Sequence, residues 1–106
     1  MPKYLFTGSL GAEGARALLQ GGATAWRAAV EGAARSLGGT LEAYYLAFGA
    51  DDFVAITELP DNQAAAALSL RAAAGGGPHL RTVVLLTPEE ADEAARRQLS
   101  YPAPGR

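Results

Sequence analysis

Cysteine is absent from the 106-residue chain, and histidine, tryptophan and methionine each occur once. Without cysteine, the chain can form neither a disulfide nor a thiolate zinc site. With a single histidine, a metal centre made only of protein ligands would depend mainly on carboxylates. We therefore predict neither a metal nor a cofactor.

Long apolar runs and an excess of positive charge are missing as well. No apolar run is long enough to span a bilayer, and the chain enters a strand pattern at Lys3 without a hydrophobic leader. Nine basic and eleven acidic residues leave a net charge of −2 at pH 7, and the basic residues form no stripe. These features argue against membranes and nucleic acid as partners. We expect one domain and a cytoplasmic location.

Two apolar runs around a short polar hinge are the strongest pattern that is present. Residues 41–48 and 53–59 are each as long as a strand and rich in aromatic and β-branched side chains. Between them lie Gly49, Asp51 and Asp52. Strand-length runs separated by Gly and Asp are typical of a β-hairpin. We expect the rest of the chain to pack around this hairpin.

The remaining segments predict the topology. Residues 3–8 and 79–86 read as strands, whereas residues 12–37 and 61–74 carry helical patterns. The resulting order, β-α-β-β-α-β, is the split βαβ plan of ferredoxin-like domains. We predict an α+β sandwich of this type, followed by a short C-terminal helix.

Several residues predict where the helices begin and end. Gly21-Gly22 should interrupt the first helical stretch, because each glycine costs roughly 1 kcal/mol in a helix interior. Thr24 is then expected to cap the second piece, and Asp61 the helix after the hairpin. Thr87-Pro88-Glu89-Glu90 combines an N-cap, a proline at the first position and a capping glutamate. That last helix is expected to end near Gln98.

Both faces of the predicted sheet are apolar. Two helices cover only one face in this plan, so the other face of a monomer should be polar. In the third strand, however, Val54 and Ile56 alternate with Phe53 and Ala55. We therefore predict a homodimer that packs sheet against sheet, either as the final assembly or as a step towards a larger oligomer.

Short motifs that resemble those of one protein family are distributed along nearly the whole chain. They are Pro2–Ser9, Glu13-Gly14, Gly21-Gly22, Arg27–Glu31, Leu37–Gly39, Ala47–Gly49, Asp52, Leu59–Asn62 and Leu85–Glu90. In these motifs the chain resembles the GYD domain family, small bacterial proteins named for a Gly-Tyr-Asp signature and without a characterised function. In the naming motif Gly49 and Asp52 match, whereas Asp51 stands where an aromatic residue is expected.

The resemblance implies a ferredoxin-like domain of the dimeric α+β barrel type over residues 1–100, with an extended tail at residues 101–106. Some folds of this type bind or transform small aromatic and hydrophobic compounds. The resemblance implies no particular reaction.

Asp52 and His79 are the candidate catalytic residues. Asp52 could serve as a base or a ligand anchor at a pocket mouth, although Gly and Asp also suit a simple turn. His79 follows the glycines at residues 75–77 and could transfer a proton, with Arg81 nearby to bind an anion. Those glycines lack the lysine and the serine or threonine of a phosphate loop.

Arg27, Glu31, Trp26 and Tyr44 are, with Arg81, the candidate ligand-binding residues. Arg27 and Glu31 are four residues apart on a helix, so they either line a cleft between helix and sheet or form a surface ion pair. Trp26 and Tyr44 form either an aromatic pocket or part of the core. Tyr101, in the proline-rich tail, is expected to dock on the same or a neighbouring subunit.

Three functions fit these residues. We favour a homo-oligomer that binds a small molecule in a cleft between sheet and helices or between subunits. The alternatives are an enzyme acting on a small hydrophobic or aromatic substrate, and a non-catalytic assembly or regulatory module. A pocket lined by Trp26, Tyr44 and a carboxylate would favour binding or catalysis. A filled core, with Asp52 fully engaged in its turn, would favour assembly.

Overall fold

The structure, a computed structural model, describes residues 1–75 and 79–101. Along the chain the elements are β1 (Lys3–Gly8), α1 (Gly11–Gly21), α2 (Ala23–Ser36), β2 (Thr40–Leu46), β3 (Phe53–Glu58), α3 (Asn62–Ala74), β4 (Leu80–Leu85) and α4 (Pro88–Arg96). Residues 76–78, which include two of the three glycines at 75–77, and residues 102–106 of the predicted tail at 101–106 lie outside the described part of the chain.

The four strands form one antiparallel sheet in the order β2-β3-β1-β4. Lys3 of β1 lies opposite Glu58 of β3 on one side and Leu85 of β4 on the other. With α1 and α2 as one interrupted helix, this is the ferredoxin-like plan, so the predicted α+β fold is confirmed. The register of β2 on β3 shifts between Leu41 and Ala43, which leaves Glu42 in a bulge.

Most helix boundaries follow the predicted local chemistry. Gly22, at φ +84°, separates α1 from α2, and the Asp61 carboxylate accepts a hydrogen bond from the Ala64 amide at 2.9 Å. Thr87 and Glu90 form the predicted capping box, although α4 ends at Arg96 rather than near Gln98. The prediction for Thr24 was wrong. The capping position is Gly22, without a side-chain cap, so Thr24 already lies within the first turn of α2.

The core lies on one face of the sheet, beneath α2 and α3. Tyr4, Phe6 and Ala55 point to this face and pack with Leu59 and with alanines of the two helices. The Tyr4 hydroxyl donates to the Asn62 side-chain oxygen at 2.6 Å, which satisfies the polar end of a ring only 1% exposed. Burial, together with the negative charge of Asp61, raises the pKa of Tyr4.

The opposite face, here called the open face, carries Leu5, Val54, Ile56, Val83 and Leu85. None of these side chains is buried, because α2 and α3 lie against the other side of the sheet. Val83 is 47% exposed. The two-sided apolar pattern is therefore present in the structure, and dimerisation through the open face remains a prediction.

The C-terminal helix has no side chain buried in the protein. Every residue of α4 is exposed, and Leu99 and Tyr101 beyond it are 80% and 70% exposed. No helix among the described residues has the length and the apolar character needed to cross a bilayer.

Candidate functional site

An apolar space lies between the sheet and the helices α2 and α3. We call it the helix–sheet cavity, and its volume is about 320 Å³. Phe6, Phe53 and Ala55 form its floor, and all three are buried. Tyr44 lies next to Phe53, with ring centroids 6.2 Å apart and planes 21° from parallel. The floor is thus a stacked aromatic surface on three neighbouring strands.

The walls explain why the space is open. From α2, Trp26, Ala29, Val30 and Ala33 line the helix–sheet cavity at spacings of three and four residues, which place them on one helix face. From α3, Ala72 lies opposite. Alanine at three of these five wall positions leaves room that a larger side chain would fill. This apolar face of α2 borders a cavity rather than a packed interior.

Almost all the side chains that line the helix–sheet cavity are apolar. Among the described residues that line the helix–sheet cavity, Arg71 is the one charged side chain, and no carboxylate or imidazole is present. The Tyr44 hydroxyl is the polar group on the sheet side, and burial raises the pKa of this phenol. Tyr44 therefore stays protonated at neutral pH. The arrangement can bind an apolar molecule.

Two of the predicted ligand-binding residues meet at this site. Trp26 of α2 and Tyr44 of β2 both line the helix–sheet cavity. Arg27 lies on the exposed side of α2 and borders a separate pocket of about 100 Å³, to which Tyr44 and Leu46 also contribute. Glu31 lines neither space. Within the described part of the chain, no ion pair joins Arg27 to Glu31.

Asp52 is held by three hydrogen bonds at the end of the hairpin. Its carboxylate accepts one from the Leu10 amide at 2.9 Å. Its own amide donates to the Gly8 carbonyl at 2.8 Å, and its carbonyl accepts from the Ala47 amide at 2.8 Å. These bonds connect the hairpin to the loop that precedes α1. Asp52 does not line the helix–sheet cavity.

The candidates His79 and Arg81 lie at the same end of the sheet as Asp52. Like Asp52, they do not line the helix–sheet cavity. His79 is exposed and immediately precedes β4. Arg81 extends from the open face and forms an ion pair with Asp51 of the hairpin loop. The structure therefore separates Asp52, His79 and Arg81 from Trp26 and Tyr44. Within residues 1–75 and 79–101, no three His, Asp or Glu side chains lie close enough to share a metal ion.

Sequence reasoning missed Arg71, together with Leu68 and Ala72 beside it on α3. All three line the helix–sheet cavity. Their spacing of three and four residues was a usable signal, because it places them on one helix face.

The comparison with known protein families gives a match over most of the chain. The model of the family described as GYD domain matches residues 4–95, which is most of the chain. Neither a curated protein nor a solved structure matches the sequence. Since the family match covers residues 4–95 of the 106-residue chain, the chain belongs to the GYD domain family.

Proposed function

We propose that this protein binds a small, mainly apolar molecule in the helix–sheet cavity and carries out no chemistry on it there. The observation that supports the proposal is the space itself, about 320 Å³ lined mainly by aromatic and aliphatic side chains. Ligand sites begin at about 300 Å³. With about 30 Å³ for each water-sized group, the volume accommodates about ten non-hydrogen atoms, the size of one or two rings.

The alternative of an enzyme has less support from the same geometry. Asp52 and His79, the candidate proton-transfer groups, lie outside the helix–sheet cavity. The Asp52 carboxylate is already occupied by the Leu10 amide. A general base must come within hydrogen-bonding distance of the proton that it removes. No Asp, Glu or His among the described residues lines the helix–sheet cavity, so binding is the function that this site favours.

The single tryptophan provides the experiment. Because Trp26 lines the helix–sheet cavity, its fluorescence reports whether the space is occupied. We expect neutral indane or naphthalene to change the emission of Trp26 in a saturable way. Ala33→Leu fills the space and should weaken this binding at least tenfold, about 1.4 kcal/mol.

The matched control is Ala28→Leu, which adds the same side chain to an exposed position of α2. It should leave binding unchanged. Saturable binding that Ala33→Leu does not weaken, or no binding of any neutral ring compound by calorimetry, would contradict the proposal. Native mass spectrometry of protein purified from its host would identify a retained ligand.

We further propose that the protein forms a homodimer through the open face. Half-buried Leu5, Val54 and Ile56 lie at its centre. Lys3 forms ion pairs with Glu42 and Glu58 at one end, and the Arg81–Asp51 pair lies at the other. An apolar centre with charged groups at its margin is typical of a protein–protein interface.

Sedimentation velocity tests the dimer. We expect a dimer at micromolar concentration and a monomer for Ile56→Lys, since the lysine would be forced against the second sheet. Leu70→Lys is the control, because Leu70 is a 70% exposed residue of α3, away from the open face. Circular dichroism shows whether each variant is folded. A wild-type protein that stays monomeric at micromolar concentration would refute this proposal.

A further inference from the structure

Building on the proposed binding function, we infer that the molecule bound in the helix–sheet cavity carries a carboxylate, which Arg71 binds at the mouth. The inference specifies the class of ligand: an apolar body of one or two rings, or a short alkyl chain, that ends in one negatively charged planar group.

The position of Arg71 supports the first step. Arg71 lies on α3, three residues after Leu68 and directly before Ala72, and all three line the helix–sheet cavity. Arg71 is exposed, whereas Phe6 and Phe53 on the floor are buried. Arg71 therefore lies at the solvent end of the site, where its guanidinium group can reach a bound molecule while the aliphatic part of the side chain covers the apolar wall.

The charge balance supports the second step. In the described residues, four ion pairs are present, and each joins Lys3, Arg81 or Arg96 to a carboxylate, so none of them involves Arg71. Among the described residues, no acidic side chain lines the helix–sheet cavity. The residues outside the described part, Gly76–Pro78 and Pro102–Arg106, contain no Asp or Glu in the sequence. The protein thus supplies Arg71 with no acidic side chain at this site.

The number and shape of the charged group indicate a carboxylate rather than a phosphate. One guanidinium group matches the two oxygens of one carboxylate through a pair of parallel hydrogen bonds. A phosphate dianion would leave about one negative charge without a partner beside apolar walls, which is costly. Tyr44 stays neutral at neutral pH, so it does not repel an anion.

Arg71 also lies in the last turn of α3, where any cation favours the negative end of the helix dipole. Arg35 provides the comparison, because it lies in the last turn of α2 and does not line the helix–sheet cavity. A role in helix stability alone would be shared by both arginines. Recognition of a carboxylate in the helix–sheet cavity would depend on Arg71 and not on Arg35.

Three probes of similar size test the inference: 3-phenylpropanoate, its neutral amide and 3-phenylpropylammonium. Binding is measured by Trp26 fluorescence and by calorimetry at neutral pH. We expect the carboxylate to bind about tenfold more tightly than the amide and the ammonium compound to bind most weakly. The preference should fall as salt increases, because the mouth is exposed to solvent.

The variants assign the preference to one residue. Arg71→Gln should abolish the difference between carboxylate and amide, while saturable binding of the amide persists and shows that the site is intact. Arg71→Lys should restore part of the preference, and Arg35→Gln should keep all of it. Equal binding of carboxylate and amide to the wild type, or a preference that survives in Arg71→Gln, overturns this inference alone. Absence of binding by all three probes and by neutral ring compounds overturns the proposed function as well.

Discussion

The carboxylate of Asp52 lies 2.9 Å from the backbone nitrogen of Leu10 and accepts its hydrogen bond. Leu10 is the residue at the N-cap position of α1, which has no side-chain cap of its own. A residue 42 positions later in the chain therefore supplies an acceptor at the start of this helix. The contact couples the hairpin end to the β1–α1 loop.

Removal of this acceptor should destabilise the protein. We expect Asp52→Ala to lower the free energy of unfolding by about 1 to 2 kcal/mol, the usual cost of losing a helix-capping bond. Asp52→Asn keeps an oxygen acceptor and should cost less. Urea denaturation measures both. If both variants retained full stability and lost binding of a ring compound, Asp52 would instead contact the ligand.

Gly39 should tolerate no larger residue. A Cβ atom at this position would lie 2.0 Å from the carbonyl oxygen of Glu58 and 2.8 Å from a methyl carbon of Leu59. Gly39→Ala must therefore displace backbone, and we expect a loss of about 1 to 3 kcal/mol in stability. Gly32→Ala is the control, because its Cβ would meet nothing within 4 Å in α2. It should stabilise the helix by up to about 1 kcal/mol.

Thr57 carries a hydroxyl that weakens the core. The residue is fully buried on β3, and its oxygen has no hydrogen-bond partner among the described residues. Thr57→Val has nearly the same shape and removes the unsatisfied group, so we expect a gain of about 1 kcal/mol, or a melting temperature roughly 4 to 8 °C higher. Thr82→Val, at an exposed strand position, should change the melting temperature little. Destabilisation by Thr57→Val would show that the hydroxyl has a partner.

Glu58 should make stability depend on pH in the acid range. The hydrogen bond from the Lys3 ammonium, at 2.8 Å, and its charge hold the pKa of Glu58 below its usual value. A carboxyl group whose pKa is lower in the folded protein stabilises it above the unfolded-state pKa, about 4.3. This stabilisation is lost as the pH falls through the lower, folded-state value.

The comparison is with Glu58→Gln. This variant should melt at a lower temperature than the wild type at pH 7, and the gap should close as the pH falls below about 4. Glu93→Gln removes an exposed pair within α4 and should have little effect at any pH. A gap between wild type and Glu58→Gln that persists at low pH would contradict the assignment.

The parts of the fold that were predicted depend on local chemistry. Asp61 caps α3 through an amide three residues away, and the break at Gly22 depends on a single backbone conformation. The missed features depend on distance between elements. Ala33 and Ala72 line a cavity only because the helices stay apart from the sheet. An alanine in the sequence does not indicate the distance between a helix and a sheet. Arg71 was missed for the same reason, since its importance depends on which space it borders.

The complete exposure of α4 has a consequence for how the protein withstands proteases. Arg96 and Arg97 end a nine-residue helix that buries no side chain, and a helix of this length is marginally stable without tertiary contacts. Trypsin should cleave here before it cuts the sheet, and the β1–β4 body should survive the loss of residues beyond Arg96. If a second subunit covers α4, cleavage should slow as protein concentration rises.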